Sequence, residues 1–461
     1  MMIKSKNKGG GWVLGLMVVA LLVWCGSAGA AIQGITGRIF NLQAKADYIV
    51  TSDGDSFLMW GYSAGNKRMQ YPGPTLIVTQ GETVRVSLIN KLPALAGNTS
   101  IIFPGQKITA TGGVAGLLTQ EAPPDGATVV TYSFTPRQPG TYIYRSGTRA
   151  DLQVEMGMVG TLIVRPSGGL DPAHHAYNHA DTYFDREFLY LMTEMDPLIH
   201  RAVELGNYNP DMTDYFPTNW FINGRNWPDL LSANKVPWLP TQPYNCVPIT
   251  RPNEKVLIRF VGAGRNLHPM HFHGNDFDVI AMDGRMLTTS LSDNGASAGA
   301  NLTFKANVIN SVPGQTVDFL WLWNAENLGW DIYDHEAGVN YPRSAVIPGS
   351  IGNICDNYDP GDPATYLDPV TGEFCPDHGK PFPVILPERD SVAYGVVYSG
   401  SPFLGGQGDL PPGHAGLNDL GAYFFIWHSH REKELTSNDI FPGGTISFMI
   451  VAPAGADIPK P

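Results

Sequence analysis

Cysteine is scarce in this chain, with four residues in 461, and helical periodicity is scarcer still. Positive charge is also in short supply, since 30 Lys and Arg stand against 42 Asp and Glu. That deficit makes nucleic acid and anionic membrane surfaces poor partners. A cationic ligand or metal ion is better tolerated, although repulsion that keeps a soluble secreted protein apart accounts for the same charge. Disorder is excluded as an overall class, because apolar residues make up 43% of the chain, enough to fill two or three ordinary cores.

Long apolar runs are absent outside the N-terminus. There Lys4, Lys6 and Lys8 precede the apolar stretch Trp12 to Trp24 and the small-residue site Ala28-Gly29-Ala30, the order of an export signal. Residues 1–30 are read as that signal, with the mature chain starting at Ala31 and located in the periplasm, at the cell surface or outside the cell. The apolar stretch falls short of the about 20 residues that span a bilayer, and Trp24 before Cys25 fits a lipid-anchoring signal badly. No membrane contact is expected after cleavage. Removing the signal takes three lysines and no acids, leaving 27 basic against 42 acidic side chains, formally −15. Of the three remaining cysteines, Cys355 and Cys375 bracket an acidic, Pro- and Gly-rich loop and form the expected disulfide. Cys246 is then left over; its pairing with one of the other two is the alternative.

Short alternating apolar runs broken by Gly, Pro and Asn recur along the chain, as in "TLIVTQGETVRVSLIN" (75–90), "TVVTYSFTP" (128–136), "EKVLIRFVG" (254–262) and "QTVDFLWLWN" (315–324). This is the pattern of an all-β sandwich protein, with 37 prolines and 52 glycines to supply the turns. The chain also resembles itself. "QGETVRVSLIN" (80–90) is echoed by "PNEKVLIRFVG" (252–262), and "IFPG" (102–105) by "HFHG" (271–274). "GTYIYRSG" from 140 matches "GAYFFIWHSH" from 421, and "GTLIVRP" at 160 matches "GTISFMIVAP" at 444. Two copies of one sandwich domain explain these echoes. Glu82 to Arg145 is 63 residues and Glu254 to His428 is 174, so the second copy carries about 111 more, mostly between Asn324 and His414. The expected division is domain one at 31–166, a linker at 167–182, domain two at 183–455 with an insertion at about 325–413, and a tail at 456–461.

The second copy holds the histidines. "HPMHFHG" supplies His268, His271 and His273, and "WHSH" supplies His428 and His430. Residues two apart on a strand share a face, so His271 pairs with His273 and His428 with His430. Strands from the two ends of one domain can pair and gather four imidazoles, a donor set suited to copper, zinc or iron. The competing reading is a set of satisfied structural histidines.

"PGPTLIVTQGETVRVSLIN", "HPMHFHG" and "WHSH" resemble the multicopper oxidases, and the resemblance spans nearly the whole mature chain apart from the insertion. It implies tandem Greek-key cupredoxin-like β-sandwich domains, a mononuclear type 1 copper and a trinuclear oxygen-reducing cluster. Carried over by position, the family would use His268 for type 1 copper, His271 for type 2, and His273, His428 and His430 for the type 3 pair. The departures follow from the same alignment. Ser429 stands where the type 1 cysteine belongs, Glu434 where the second type 1 histidine belongs, and Asp439 at the usual axial methionine. In the first domain the four remaining cluster histidines are replaced by Ile102, Pro104, Arg145 and Gly147.

A blue copper site depends on a soft thiolate, and a serine hydroxyl at neutral pH is neither ionised nor soft. The type 1 site is therefore expected to be absent, and with it the port for collecting electrons. Arg145 puts a fixed positive charge at a ligand position. Like charges at about 4 Å cost on the order of 4 kcal/mol per pair even at an effective dielectric near 20, which argues against three coppers. The bland reading of Arg145 is a salt bridge with Asp151 or Glu155. One metal ion, copper first, held by some of His271, His273, His428 and His430, is the leading expectation, with oxidoreductase chemistry limited to a single centre. A metal-free binding or scaffold protein is the alternative. A third reading is an oxidase completed by an unknown protein partner, since a homotrimer, which the resemblance implies for two-domain members, would only repeat the same losses.

Weaker candidates are "HHAYNHAD" (174–181), read as a solvated linker before a metal site with His174, His175 and His179, and "CDNYDPGDPATYLD" (355–368), which lacks the calcium-loop spacing of an EF-hand. "NTS" at 98 and "NLT" at 301 are glycosylation sequons only in a glycosylating host. The scattered methionines form no copper trap.

Overall fold

The computed structural model describes residues 32–273, 275–290, 299–324 and 423–452, together with Glu326, Cys355, residues 357–369, 374–377, Lys380 and Ile458. The export signal expected at 1–30 and most of the insertion expected at about 325–413 lie outside the described residues. The chain begins with β1 (Ile35–Thr36), β2 (Ile39–Val50), β3 (Ser56–Ala64), β4 (Leu76–Thr79), β5 (Val84–Asn90), β6 (Thr109–Thr111), β7 (Val114–Ala115), β8 (Gln120–Glu121), β9 (Val129–Phe134), β10 (Gly140–Arg145) and β11 (Val159–Arg165). It continues with β12 (Arg186–Met195), β13 (Asn219–Ile222), β14 (Ile249–Thr250), β15 (Val256–Gly262), β16 (His268–Phe272), β17 (Phe277–Met282), β18 (Arg285–Met286), β19 (Phe304–Ala306), β20 (Val308–Ser311), β21 (Thr316–Trp321), β22 (Tyr423–Ser429) and β23 (Ile446–Val451).

Two sandwiches result. The first packs the sheet β1-β4-β11-β10 on the sheet β3-β2-β5-β9-β6; the second packs β13-β12-β15-β21-β17-β18, with β19 beside β17, on β14-β23-β22-β16-β20. Alternation along β5, where Val84, Val86, Leu88 and Asn90 are buried and Arg85 is exposed, turns one face of the strand to a core. β15 is buried along its whole length, as its nearly continuous apolar run suggests.

The internal repeat holds strand by strand. β2 runs parallel to β5, which pairs antiparallel with β9; β12 runs parallel to β15, which pairs antiparallel with β21. β4, β11 and β10 are matched in the same senses by β14, β23 and β22. Even the ligand positions correspond: Ile102 bridges Arg145 in the first sandwich, and His271 opposes His428 in the second.

Charged groups tie the sandwiches together. Arg165 donates to both oxygens of Glu187 at 2.6 and 2.5 Å, and Arg259 donates through Nε to the same carboxylate at 2.5 Å. Arg259 Nη1 also reaches Thr141 Oγ1 at 3.0 Å and Asp318 Oδ2 at 3.1 Å. Asp318 accepts further bonds from Thr141 and Tyr177 at 2.6 Å each. Tyr177 belongs to the segment expected to be a solvated linker, and here the structure corrects the reading. Ala176 and Tyr177 are buried, because the Tyr177 ring and hydroxyl fill the seam beside Asp318. His174 donates to the Phe184 carbonyl at 3.0 Å and His179 accepts from the Asp181 amide at 3.2 Å, so both act as local braces. The Cys355–Cys375 disulfide is formed, and Cys246 is a buried free thiol.

Candidate metal centre

β16 lies between β20 and β22, in a register that sets Met270 opposite Ser429, His271 opposite His428 and Phe272 opposite Trp427. Alternate residues take opposite faces. Phe272 and Trp427 point inward; the Trp427 ring stacks on Tyr190 at 5.4 Å, Phe319 at 5.5 Å and Phe277 at 5.8 Å. That anchorage fixes the opposite face of the strand pair, which carries His271, His273, His428 and His430.

These four rings form one group. Centroid separations are 4.8 Å for His273–His428, 4.9 Å for His271–His430, 5.0 Å for His271–His273 and for His428–His430, and 6.0 Å for His271–His428. His271 Nδ1 donates to the Asn307 carbonyl at 3.1 Å and His428 Nδ1 to the Ser429 carbonyl at 2.9 Å, which leaves the Nε2 of each as the lone-pair nitrogen. His273 Nε2 lies 2.7 Å from His428 Nε2; with His428 accepting there, His273 is the donor. Burial, followed by the neighbouring rings, pushes the His273 imidazole down to about 4. Desolvation likewise lowers His271 and His428. The three are neutral at neutral pH, the form in which imidazole binds a metal.

The arrangement is a hydrogen-bonded one. Two nitrogens at 2.0–2.1 Å on one tetrahedral ion sit about 3.3 Å apart, wider than the His273–His428 contact, and no group of three or more His, Cys, Asp or Glu among the described residues converges on a metal position.

His268 stands apart. Its odd spacing from His271 and His273 puts it on the inward face of β16, where it is 1% exposed. Nε2 meets Glu194 Oε2 at 2.9 Å and Nδ1 meets Glu434 Oε2 at 2.9 Å. Burial opposes the charged ring, but the bonds to Glu194 and Glu434 outweigh it and hold His268 up at about 9. Both nitrogens therefore carry protons, and neither offers a lone pair. Ser429 beside it is fully buried, its Oγ accepting from the Arg431 amide at 3.2 Å. Glu194 was not among the residues the motifs singled out. Its signal is a lone acid in the apolar run "FLYLMTEM" (188–195).

The first sandwich has no ligands to add. Ile102 and Pro104 are apolar, and a Cβ at Gly147 would lie 2.6 Å from Ile102 Cγ2, so the isoleucine occupies a side chain's place. Arg145 donates to its neighbour's carbonyl, Ser146 O, at 3.3 Å. The expected ion pair with Asp151 or Glu155 is not formed, because Glu155 is taken by the Asp196 amide at 2.7 Å and the Tyr215 hydroxyl at 2.9 Å. In the acidic loop, Asp359, Asp362 and Asp368 accept backbone N–H groups of Gly361, Ala364 and Cys355 at 2.8–3.0 Å, as turn residues do.

The family model described as multicopper oxidase matches residues 64–169, and a second of the same description matches residues 207–327. The chain belongs to the multicopper oxidase family. It is similar to "Multicopper oxidase MCE" of Talaromyces pinophilus, 37% identical over 100 residues, a stretch that is 21% of this chain and only 15% of that enzyme. Among solved structures, the blue copper oxidase from Nitrosomonas europaea matches with a TM-score of 0.51 at 15% identity, over 91% of this chain and 86% of that one. "Multicopper Oxidase mgLAC" matches with a TM-score of 0.49 at 16% identity, over 92% and 88%. The Nitrosomonas match bears on the fold, which is all-β and cupredoxin-like.

Family membership implies copper in general, and the two kinds of site fare differently here. The residues at the type 1 position do not fit that ion: a serine replaces the thiolate, and the histidine is protonated on both nitrogens. Four imidazoles share one face at positions the resemblance assigns to half of a multinuclear site, and the positions it assigns to the other half hold Ile102, Pro104, Arg145 and Gly147.

Proposed function

We propose that this is an exported, multicopper-oxidase-like cupredoxin protein that binds a single ion, copper or one of similar preference, at His271, His273, His428 and His430. The observation carrying this reading is the gathering of four part-exposed imidazoles on the outward face of β16 and β22, three of them held neutral. Four imidazoles together are not needed for packing, which Phe272 and Trp427 already supply on the other face. When bound, the ion would supply one-electron exchange and Lewis acidity. The chain's own part is positioning. The Asn307 and Ser429 carbonyls fix the tautomers of His271 and His428 and leave Nε2 of each as the lone-pair nitrogen, while the His273–His428 contact holds a proton in the place an ion would claim. With no thiolate port and no ligands from the first sandwich, four-electron reduction of oxygen is outside its reach.

Metal analysis of the purified protein tests this. About one equivalent of metal per chain is expected, lost in the His273→Ala/His428→Ala variant; metal content unchanged by that variant contradicts the assignment. The direct His273–His428 hydrogen bond, which occupies both Nε2 atoms at 2.7 Å, supports a second reading, a metal-free binding protein on the same fold. No metal in the untouched protein would select it.

A further inference from the structure

The type 1 position is not an emptied pocket. Glu194 near the end of β12, His268 at the start of β16 and Glu434 in the 3-10 turn Glu432–Leu435 are far apart in sequence and meet there with side chains 0–1% exposed. Glu194 is held from behind: its Oε1 accepts from the amides of Arg265 at 2.5 Å and Asn266 at 2.8 Å. Tyr215 joins that oxygen at 3.3 Å to Glu155 of the first sandwich at 2.9 Å. A Cβ on Gly264 would fall 1.8 Å from Glu194 Oε2, so a glycine keeps the carboxylate's place open. On the other side Arg431 Nη1 lies 3.1 Å from Glu434 Oε1.

We infer that Glu194–His268–Glu434 is an ionic crosslink that does at this position the tying a metal ion would do, joining β12, β16 and the turn after β22. An imidazolium between two carboxylates has each N–H in a charge-assisted bond, and a copper ion claiming either nitrogen would have to displace its proton and break that bond. Restoring the missing sulfur alone therefore does not restore the site. This inference stands whether or not the outward four histidines hold an ion.

Two variants test it. Ser429→Cys, loaded with Cu(II), is expected to show no intense blue absorption near the thiolate charge-transfer region; a strong blue band would overturn the inference, since it requires His268 as a ligand. Glu434→Gln keeps the shape and removes the charge, and its melting temperature should fall by roughly 10 °C, as breaking a buried pair does, with bound metal per chain unchanged. A melting temperature within about 2 °C of the parent, or a loss of metal on this substitution, would overturn it.

Discussion

Arg259→Met removes the cation on which the seam between the sandwiches closes. In the parent, this fully buried guanidinium serves Glu187, Asp318 and Thr141 at once. Glu187 keeps Arg165, and Asp318 keeps the Thr141 and Tyr177 hydroxyls, but both buried carboxylates lose a charge partner. Each pair is worth about 4 kcal/mol at 4 Å and an effective dielectric near 20. Part of that is offset because methionine regains the cost of burying the guanidinium, whose Nη2 already lacks a partner. A net loss of about 3–5 kcal/mol follows, the usual result of breaking a buried pair from one side. Arg68, whose pair with Asp47 is 56% exposed on the arginine side, is the control, and Arg68→Ala should cost no more than about 0.5 kcal/mol. Guanidinium unfolding followed by both tryptophan fluorescence and circular dichroism reads the difference, and two separated transitions would show the sandwiches uncoupled. If Arg259→Met and Arg68→Ala shift the midpoint equally, the seam is not held by these charges.

Burial raises the Glu187 carboxyl, but Arg165 and Arg259 outweigh it and hold the group down at about 2 against 4.5 for a free side chain; its stabilisation should be complete above pH 4.5 and lost as pH falls toward 2, and Glu187→Gln should flatten that acid limb of the melting curve. His268, held up at about 9 against 6.5, has the opposite sign: its contribution is complete below pH 6.5 and lost as pH rises through 9, so an alkaline drop in melting temperature should shrink in Glu434→Gln, where only Glu194 still holds the proton. Trp427→Ala removes the ring on which β22 is stacked and should destabilise by about 3–5 kcal/mol; if calorimetry finds less than 1 kcal/mol, the inward face does not position the histidines. Modification by a thiol reagent should leave Cys246 untouched in the native protein, since burial pushes its thiol up and closes access; rapid labelling would place it at the surface.

Much of this was legible in the residues. The self-similarity of 80–90 with 252–262 foretold two sandwiches, because strands that pair in the same senses need the same alternation of apolar residues. The spacing of His271 with His273 and of His428 with His430 gave the shared face for the same reason. The parity of His268 was equally readable and pointed it the other way; only the resemblance grouped it with metal ligands. What the sequence could not disclose was the partner of Glu194, an acid visible alone in an apolar run but paired with His268 only because β12 ends beside β16. The same holds for Arg145, whose expected partner Glu155 is claimed by Tyr215 and Asp196 through contacts 41 and 60 residues apart. Long-range pairing of polar groups follows from packing, and local pattern carries no record of it.

The most direct measurement is copper per chain, with the visible spectrum, on purified protein loaded with Cu(II) and dialysed free of unbound metal. About one equivalent without intense blue colour is the outcome the account predicts. Three or four equivalents with a strong blue band, or no copper retained at all, would contradict it.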